Sequence, residues 1–218
     1  MNPVHSQALS SPLARAWGVA AEPSRGPRPK LTPEQIAVAA VGIADVEGVE
    51  AVTLSRVAAD CGVVTTALYR YVDAKADLVD LMTEQALGEP PAIGVTSSTA
   101  AHRWVRAFRA CLADHPWLAS VQPTGMPLGP RALGWLDALV RILVAQGVQD
   151  PAGVALQLST TVRAYAAMAG SVAPQPPPPW WAEAVAERFP ALAGAFTERD
   201  VTDPLADLDA AVRRVLVR

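Results

Sequence analysis

Residues 53–75 decide the fold of this chain, and they read Thr53-Leu-Ser-Arg-Val-Ala-Ala-Asp-Cys-Gly-Val-Val-Thr-Thr-Ala-Leu-Tyr-Arg-Tyr-Val-Asp-Ala-Lys75. Apolar side chains recur at helical spacing on both sides of Gly62, which predicts two short helices packed across a tight turn. Glycine adopts the left-handed backbone of such a turn without strain, and Ala58 is small enough for close helix approach. The outer face of the second helix then carries hydrogen-bond donors suited to the major groove of DNA, namely Thr65, Thr66, Tyr69 and Arg70.

Helix signals continue outward from this stretch and predict an all-α chain. Thr32 is a good N-cap, Pro33 suits the first helical position, and Gln35 stands where a capping box requires it. Gly48 is a C-terminal stop for that helix. Residues 1–30 contain five prolines and four basic side chains without a sustained period, so we expect a flexible basic arm. Further helices are predicted at about 53–62, 65–72, 74–87, 98–114, 116–121, 129–147, 151–172, 180–189 and 204–217.

Composition narrows the class of protein. The chain is 51% hydrophobic and 18% charged, with no apolar run long enough for a membrane span and no signal peptide. Its two cysteines are isolated thiols, which favours a reducing cytoplasm. Its three histidines are isolated and no phosphate loop or metal spacing is present, so we expect no enzyme, no metal and no cofactor. The net charge of −3 is a weak objection to DNA binding, because affinity depends on the surface that meets the phosphates.

Residues 31–80 resemble the DNA-binding signature of the tetracycline-repressor (TetR) family. The resemblance rests on Gly62-Val63, on Ala67-Leu68-Tyr69-Arg70-Tyr71-Val72, on Lys75 and on Leu78, with Gly48, Thr53 and Val57-Ala58 before them. The chain departs from the usual pattern at Val64, Tyr71 and Val72. The resemblance implies an N-terminal three-helix helix-turn-helix domain at 31–80 and a helical ligand-binding and dimerisation domain at 81–218.

The same resemblance implies roles for individual residues. Thr53 and Ser55 would meet the DNA backbone or a base edge, and Thr65, Thr66 and Arg70 would face bases or phosphates. Tyr69 and Tyr71 would donate their hydroxyl groups to phosphates, and Lys75 would hold another phosphate with the amides at its helix start. The alternative is that the two tyrosines are packing residues and Lys75 is a solvated charge. Residues 25–30 follow the minor groove in one interpretation and form a disordered tail in the other.

The C-terminal part carries no motif of comparable specificity. Its large apolar side chains are the aromatic and methionine residues Trp104, Phe108, Trp117, Trp135, Tyr165 and Met168. They either line a cavity for a small molecule, with polar contacts from His102, Gln157 or Arg163, or form an ordinary core. Segments 151–172 and 204–217 offer small or apolar faces for a homodimer, the first through Leu156, Ser159, Arg163, Ala166, Ala167 and Gly170 and the second through Leu205, Leu208, Val212 and Val215.

The resulting hypothesis is a cytoplasmic transcription regulator with no membrane partner. Its partners would be a double-stranded DNA operator, a second copy of the chain and a small-molecule effector that releases a repressor from a palindromic operator. The alternatives are an activator, a regulator without an effector, or a helical small-molecule enzyme.

Overall fold

The computed structural model describes residues 11–19, 31–121, 129–171 and 178–196, together with residues 208, 212 and 213. Within these ranges the chain is helical and has no β-strand, which confirms the all-α prediction. Of the helices described, none is long and apolar enough to cross a membrane. The α-helices are α1 (Ser11–Ala16), α2 (Pro33–Glu47), α3 (Leu54–Asp60), α4 (Thr65–Leu68), α5 (Lys75–Leu87), α6 (Ala100–Asp114), α7 (Trp117–Ser120), α8 (Pro130–Ala145), α9 (Pro151–Ser171), α10 (Trp181–Arg188) and α11 (Pro190–Phe196).

Part of the expected flexible arm is helical. Helix α1 packs on α5 and buries Leu13. Arg15 donates to the carbonyl oxygens of Tyr71, at 3.3 Å, and Arg70, at 3.2 Å. The expectation of a flexible arm is therefore wrong for this segment, because an apolar anchor and a backbone clamp hold it. Residues 1–10 and 20–30, including the basic stretch 25–30, lie outside the described residues.

The helix-turn-helix part follows the local signals closely. Thr32 Oγ1 accepts from the amide of Gln35 at 3.3 Å, and Gln35 Oε1 accepts from the amide of Thr32 at 2.9 Å, so the capping box is confirmed. Gly62 has φ +67°, as the tight turn requires. Helix α4 is shorter than the predicted 65–72, because the amides of Tyr71 and Val72 both bond the carbonyl of Leu68 and close the helix there.

The C-terminal part is a bundle of α6, α8 and α9, with α7 packed on α9. The predicted helices at 98–114, 116–121, 129–147, 151–172 and 180–189 are confirmed within a few residues at each end, whereas α11 was not predicted. Most of 204–217 lies outside the described residues. Leu208 and Val212 are buried in the core of this chain, so the prediction that they form a dimer face is wrong for both. Their apolar spacing serves the chain's own core, and Leu205 and Val215 lie outside the described residues.

Helix α5 connects the two parts. It packs on α1 and α2 on the helix-turn-helix side and on α8 on the other. Its buried side chains are Leu78, Met82, Glu84 and Leu87. Helix α5 therefore runs from Lys75 in the helix-turn-helix part to a last turn that packs on the C-terminal bundle.

Candidate nucleic-acid interface and effector site

The outer surface around α3 and α4 carries most of the predicted DNA-contacting side chains. Ser55, Thr66 and Arg70 are exposed, and Tyr69 is 53% exposed, whereas Thr65 is half-buried. Leu68 is buried on the opposite side of the same helical turn. The structure thus brings hydroxyl, phenol and guanidinium donors to one surface, and an apolar anchor fixes the turn beneath them.

The side chain of Thr53 caps the N-terminus of α3. Its Oγ1 accepts from the amide of Arg56 at 3.1 Å and lies 3.1 Å from Ser55 Oγ, so it is the N-cap of α3. Arg56 forms an ion pair with Glu47 at 2.8 Å, and this hydrogen bond raises the pKa of Arg56. Because its charge is already paired, Arg56 adds little to the positive potential of this surface.

Tyr71 differs from its predicted role. Its hydroxyl donates to the carbonyl oxygen of Leu31 at 2.6 Å, and its ring lies under the guanidinium of Arg15, 5.8 Å from the ring centroid. The single hydroxyl proton is therefore used inside the protein, and the expected donation to a phosphate does not fit this structure. Tyr71 ties the entry of α2 to the end of the recognition turn.

Lys75 is the first residue of α5, as the sequence predicts. Its Nζ is exposed and lies 3.4 Å from the carbonyl oxygen of Val49. The N-cap residue Ala74 offers no side-chain cap, while Asp77 accepts from the amide of Asp73 at 2.8 Å. An ammonium group thus lies beside a helix start, the combination that suits a phosphate.

Three of the six predicted effector-contacting residues pack directly on one another. The ring centroids of Trp104, Phe108 and Trp135 lie 4.9 to 5.8 Å apart. Trp104 Nε1 donates to the carbonyl oxygen of Trp135 at 2.9 Å, and Trp135 Nε1 donates to that of Leu87 at 3.0 Å. These indoles are buried with their N–H groups bonded, so in this conformation they form core.

The other three residues lie apart from that cluster. Trp117 is buried, but its Nε1 donates to Asp45 Oδ1 of α2 at 2.8 Å. Tyr165 is half-buried against the core. Met168 is 60% exposed and lies outside the face of α9 that buries Ala155, Leu158 and Val162, so it does not line an interior cavity in this conformation.

Two polar connections between the parts were missed at the sequence level. Asp45 accepts from Trp117 and, at 2.9 Å, from Nδ1 of His115. Glu84 is buried and accepts from the amides of Arg131, at 2.9 Å, and Ala132, at 3.3 Å. For Glu84 the sequence did contain a signal, namely an acidic residue within the apolar stripe of α5. In the part of the chain that the structure describes, no group of three His, Cys, Asp or Glu could hold a metal ion.

Known proteins resemble this chain in both sequence and fold. The repressor named HTH-type transcriptional repressor DrrR1, from Streptomyces coeruleorubidus, is 38% identical over 147 residues, which are 66% of this chain and 54% of the relative. Apo ActR from Streptomyces coelicolor superimposes with a TM-score of 0.69 at 26% identity, covering 88% of this chain and 97% of ActR. ActR is named as a TetR family protein in its complex with (S)-DNPA, and in that complex it superimposes with a TM-score of 0.66 at 25% identity. The superposition covers 86% of this chain and 96% of ActR. The chain is therefore similar in sequence to an HTH-type transcriptional repressor and in fold to TetR family proteins.

The fold shared with these TetR family proteins accounts for the two-part architecture. The helix-turn-helix part and the helical C-terminal part correspond to the TetR fold, and the relatives reported above are transcription regulators, not enzymes. No family model matches the chain. The chain spans about half the length of the curated relatives it matches.

Proposed function

We propose that this TetR-family chain represses transcription by binding an inverted-repeat operator as a dimer, and that a small molecule releases it. The observation that carries the proposal is the exposed row of donors on the α3–α4 unit, held by the buried Leu68. Such a one-turn unit inserts side chains into a major groove while flanking groups contact phosphates. The name of the relative DrrR1 favours repression over activation.

The charge of the helix-turn-helix part makes each basic residue important. Residues 31–80 contain three basic side chains and eight acidic ones, and Arg56 is paired with Glu47. Arg70 and Lys75 therefore provide the available positive charge of this part. We infer that Lys75 contacts a phosphate and that Arg70 reads a base or contacts a phosphate.

Helix α9 offers the surface for a dimer. Along one face it exposes Ala152, Leu156, Thr160 and Ala164 at a spacing of four residues. Small side chains at this spacing let two helices approach closely. A twofold dimer formed there would bring two copies of the α3–α4 unit, called the reading unit below, to one face of DNA. The half-sites would then lie roughly 34–36 Å apart.

Release requires that the C-terminal part control the reading unit, and α5 provides the connection. Its last turn is fixed to α8 through Glu84 and through the bond from Trp135 to the carbonyl of Leu87. Asp45 fixes α2 to His115 and Trp117 in parallel. ActR has been crystallised with (S)-DNPA and with actinorhodin, which supports a small-molecule effector for this chain.

The first experiment selects bound sequences from a random DNA pool. We expect an inverted repeat, bound by a dimer in light scattering. Recovery of no enriched sequence, or a monomer bound to DNA, would contradict the proposal.

The second experiment compares single variants on the selected operator. Lys75→Ala should weaken binding to all sequences and reduce the salt dependence by about one unit, because one phosphate contact is lost. Arg70→Ala should cost about 1–3 kcal/mol and relax one position per half-site if Arg70 reads a base. The matched control is Arg141→Ala, an exposed arginine of α8, which should bind as wild type.

A further inference from the structure

Arg163 of α9 is a cation in apolar surroundings. Its guanidinium carbon lies 5.2 Å from the centroid of the Phe108 ring, and its Nη1 donates to the carbonyl oxygen of Leu118 at 2.9 Å. The thiol of Cys111 is also close enough for each group to influence the charge of the other. The side chain is half-buried, and no carboxylate among the described residues forms an ion pair with it.

The surroundings of Arg163 disfavour its charge. Burial lowers its pKa, which is the effect expected where desolvation is not offset by an anion. A guanidinium has five N–H donors, and the Leu118 carbonyl uses one nitrogen. Among the described residues, no buried side-chain nitrogen or oxygen lacks a partner. The remaining nitrogens of Arg163 are therefore accessible to solvent, and hence to a ligand.

We propose that Arg163 is the anion-binding residue of the effector site, and that the effector is a hydrophobic carboxylic acid. This inference rests on the proposed effector-regulated function. A carboxylate matches the two parallel N–H groups of a guanidinium. Phe108 continues into the aromatic cluster of Trp104 and Trp135, and this cluster, which is packed as core in the present conformation, must open for the apolar body of the acid to contact it.

The position of Arg163 also connects this site to the reading unit. Its acceptor, Leu118, follows Trp117 in α7, and Trp117 donates to Asp45 of α2. An acid that draws the guanidinium away from the Leu118 carbonyl loosens α7 next to the bond that holds the helix-turn-helix part. Acid binding and operator binding then oppose each other, as linkage requires.

The competing explanation is that Arg163 only holds α9 to the end of α7. A basic side chain on a carbonyl near a helix C-terminus is a common stabilising contact. Arg163→Gln separates the two explanations, because an amide group also donates to a carbonyl but carries no charge. Arg163→Lys provides a second variant, which keeps the charge without the paired N–H geometry.

The experiment compares the affinity of the protein for a carboxylic acid with its affinity for the corresponding neutral amide. The Kd of 2-naphthoate and of the neutral 2-naphthamide is determined by titration calorimetry on wild type, Arg163→Gln, Arg163→Lys and the exposed control Arg141→Gln. We expect wild type and the control to prefer the acid about tenfold or more, as a charge-assisted hydrogen bond provides. Arg163→Gln should lose this preference, and Arg163→Lys should keep part of it.

The outcomes separate this inference from the proposed function. No acid preference in wild type, or an undiminished preference in Arg163→Gln, overturns the anion site even if the protein binds its operator. Acid binding that depends on Arg163 but is unchanged by saturating operator supports the anion site and overturns its role in release. Failure to enrich any operator overturns the proposed function, whatever the calorimetry gives.

Discussion

The helix-turn-helix part and the C-terminal bundle place their polar groups in opposite ways. Around α4, the donors of Thr66 and Arg70 lie at the surface, and the apolar Leu68 is beneath them. In the bundle, the indole N–H groups of Trp104 and Trp135 are buried and bonded to backbone carbonyls. The first part is therefore prepared to bind without rearrangement, whereas the second must exchange internal bonds for ligand contacts. This difference supports the proposal that the bundle responds to a ligand and that the α3–α4 surface reads the DNA sequence.

Replacement of Trp104 tests whether the aromatic cluster is core. Trp104 is 1% exposed, and Trp104→Ala should lower the free energy of unfolding by about 3–5 kcal/mol, measured by denaturant titration, because a large buried side chain leaves a cavity. The matched control is Trp180→Ala, since Trp180 is 65% exposed and its removal should have little effect. Equal stabilities of the two variants would show that Trp104 lines a ligand cavity and is not part of the packed core.

The connection between α5 and α8 should give the next largest effect. Glu84→Ala leaves the amides of Arg131 and Ala132 without their acceptor, so we expect a loss of about 2–3 kcal/mol in unfolding free energy. Its control is Glu89→Ala, because that carboxylate is 82% exposed and lies 3.6 Å from Arg131 Nε; here we expect about 0–1 kcal/mol. A small effect at both positions would mean that Glu84 does not fix α5 to α8.

The two tyrosines near α4 provide a finer test of the contrast. Tyr71→Phe removes the hydroxyl bonded to Leu31 and should lower the free energy of unfolding by about 1 kcal/mol. Any loss of operator affinity in this variant should be no larger than its loss of folded protein explains. Tyr69→Phe should leave stability unchanged and weaken operator binding, because that hydroxyl faces outward. The pair is measured by thermal unfolding and by fluorescence anisotropy with labelled operator. The assignment of Tyr71 is refuted if Tyr71→Phe keeps wild-type stability and loses DNA affinity.

The smallest predicted difference between the two parts is in the reactivity of their cysteines, Cys61 and Cys111. Burial raises the pKa of Cys111 to about 11, so on the order of 1% is thiolate at pH 9. The pKa of Cys61 is also raised, by burial that is shallower than that of Cys111 and then by Asp60. In the native protein Cys61 should react faster with Ellman's reagent, and the rate at Cys111 should rise tenfold per pH unit up to its pKa. Cys61→Ser and Cys111→Ser each isolate one thiol, and equal rates would contradict the assignment.

The parts also differ in how much of them could be predicted from sequence. Local rules sufficed for Thr32, Gln35 and Gly62, because caps and turns are set by residues a few positions apart. They failed for Tyr71, whose hydroxyl is used by a carbonyl forty residues away, and for Leu208 and Val212, whose apolar spacing serves the chain's own core. Helix α1 was missed although Ser11-Pro12 is a start signal, since proline content elsewhere in residues 1–30 outweighed it. The bonds of Arg163 join distant segments and leave no local pattern, and those of Glu84 are signalled only by an acidic residue within the apolar stripe of α5.

The contact between Glu84 and Gly129 constrains how this sequence can change over evolutionary time. A side-chain carbon at position 129 would occupy the space of the Glu84 carboxylate, so any replacement of that glycine displaces the group that caps α8. The two positions can drift only as a pair, with a shorter residue at 84 preceding a larger one at 129. In a set of natural variants they should covary despite the 44 residues between them.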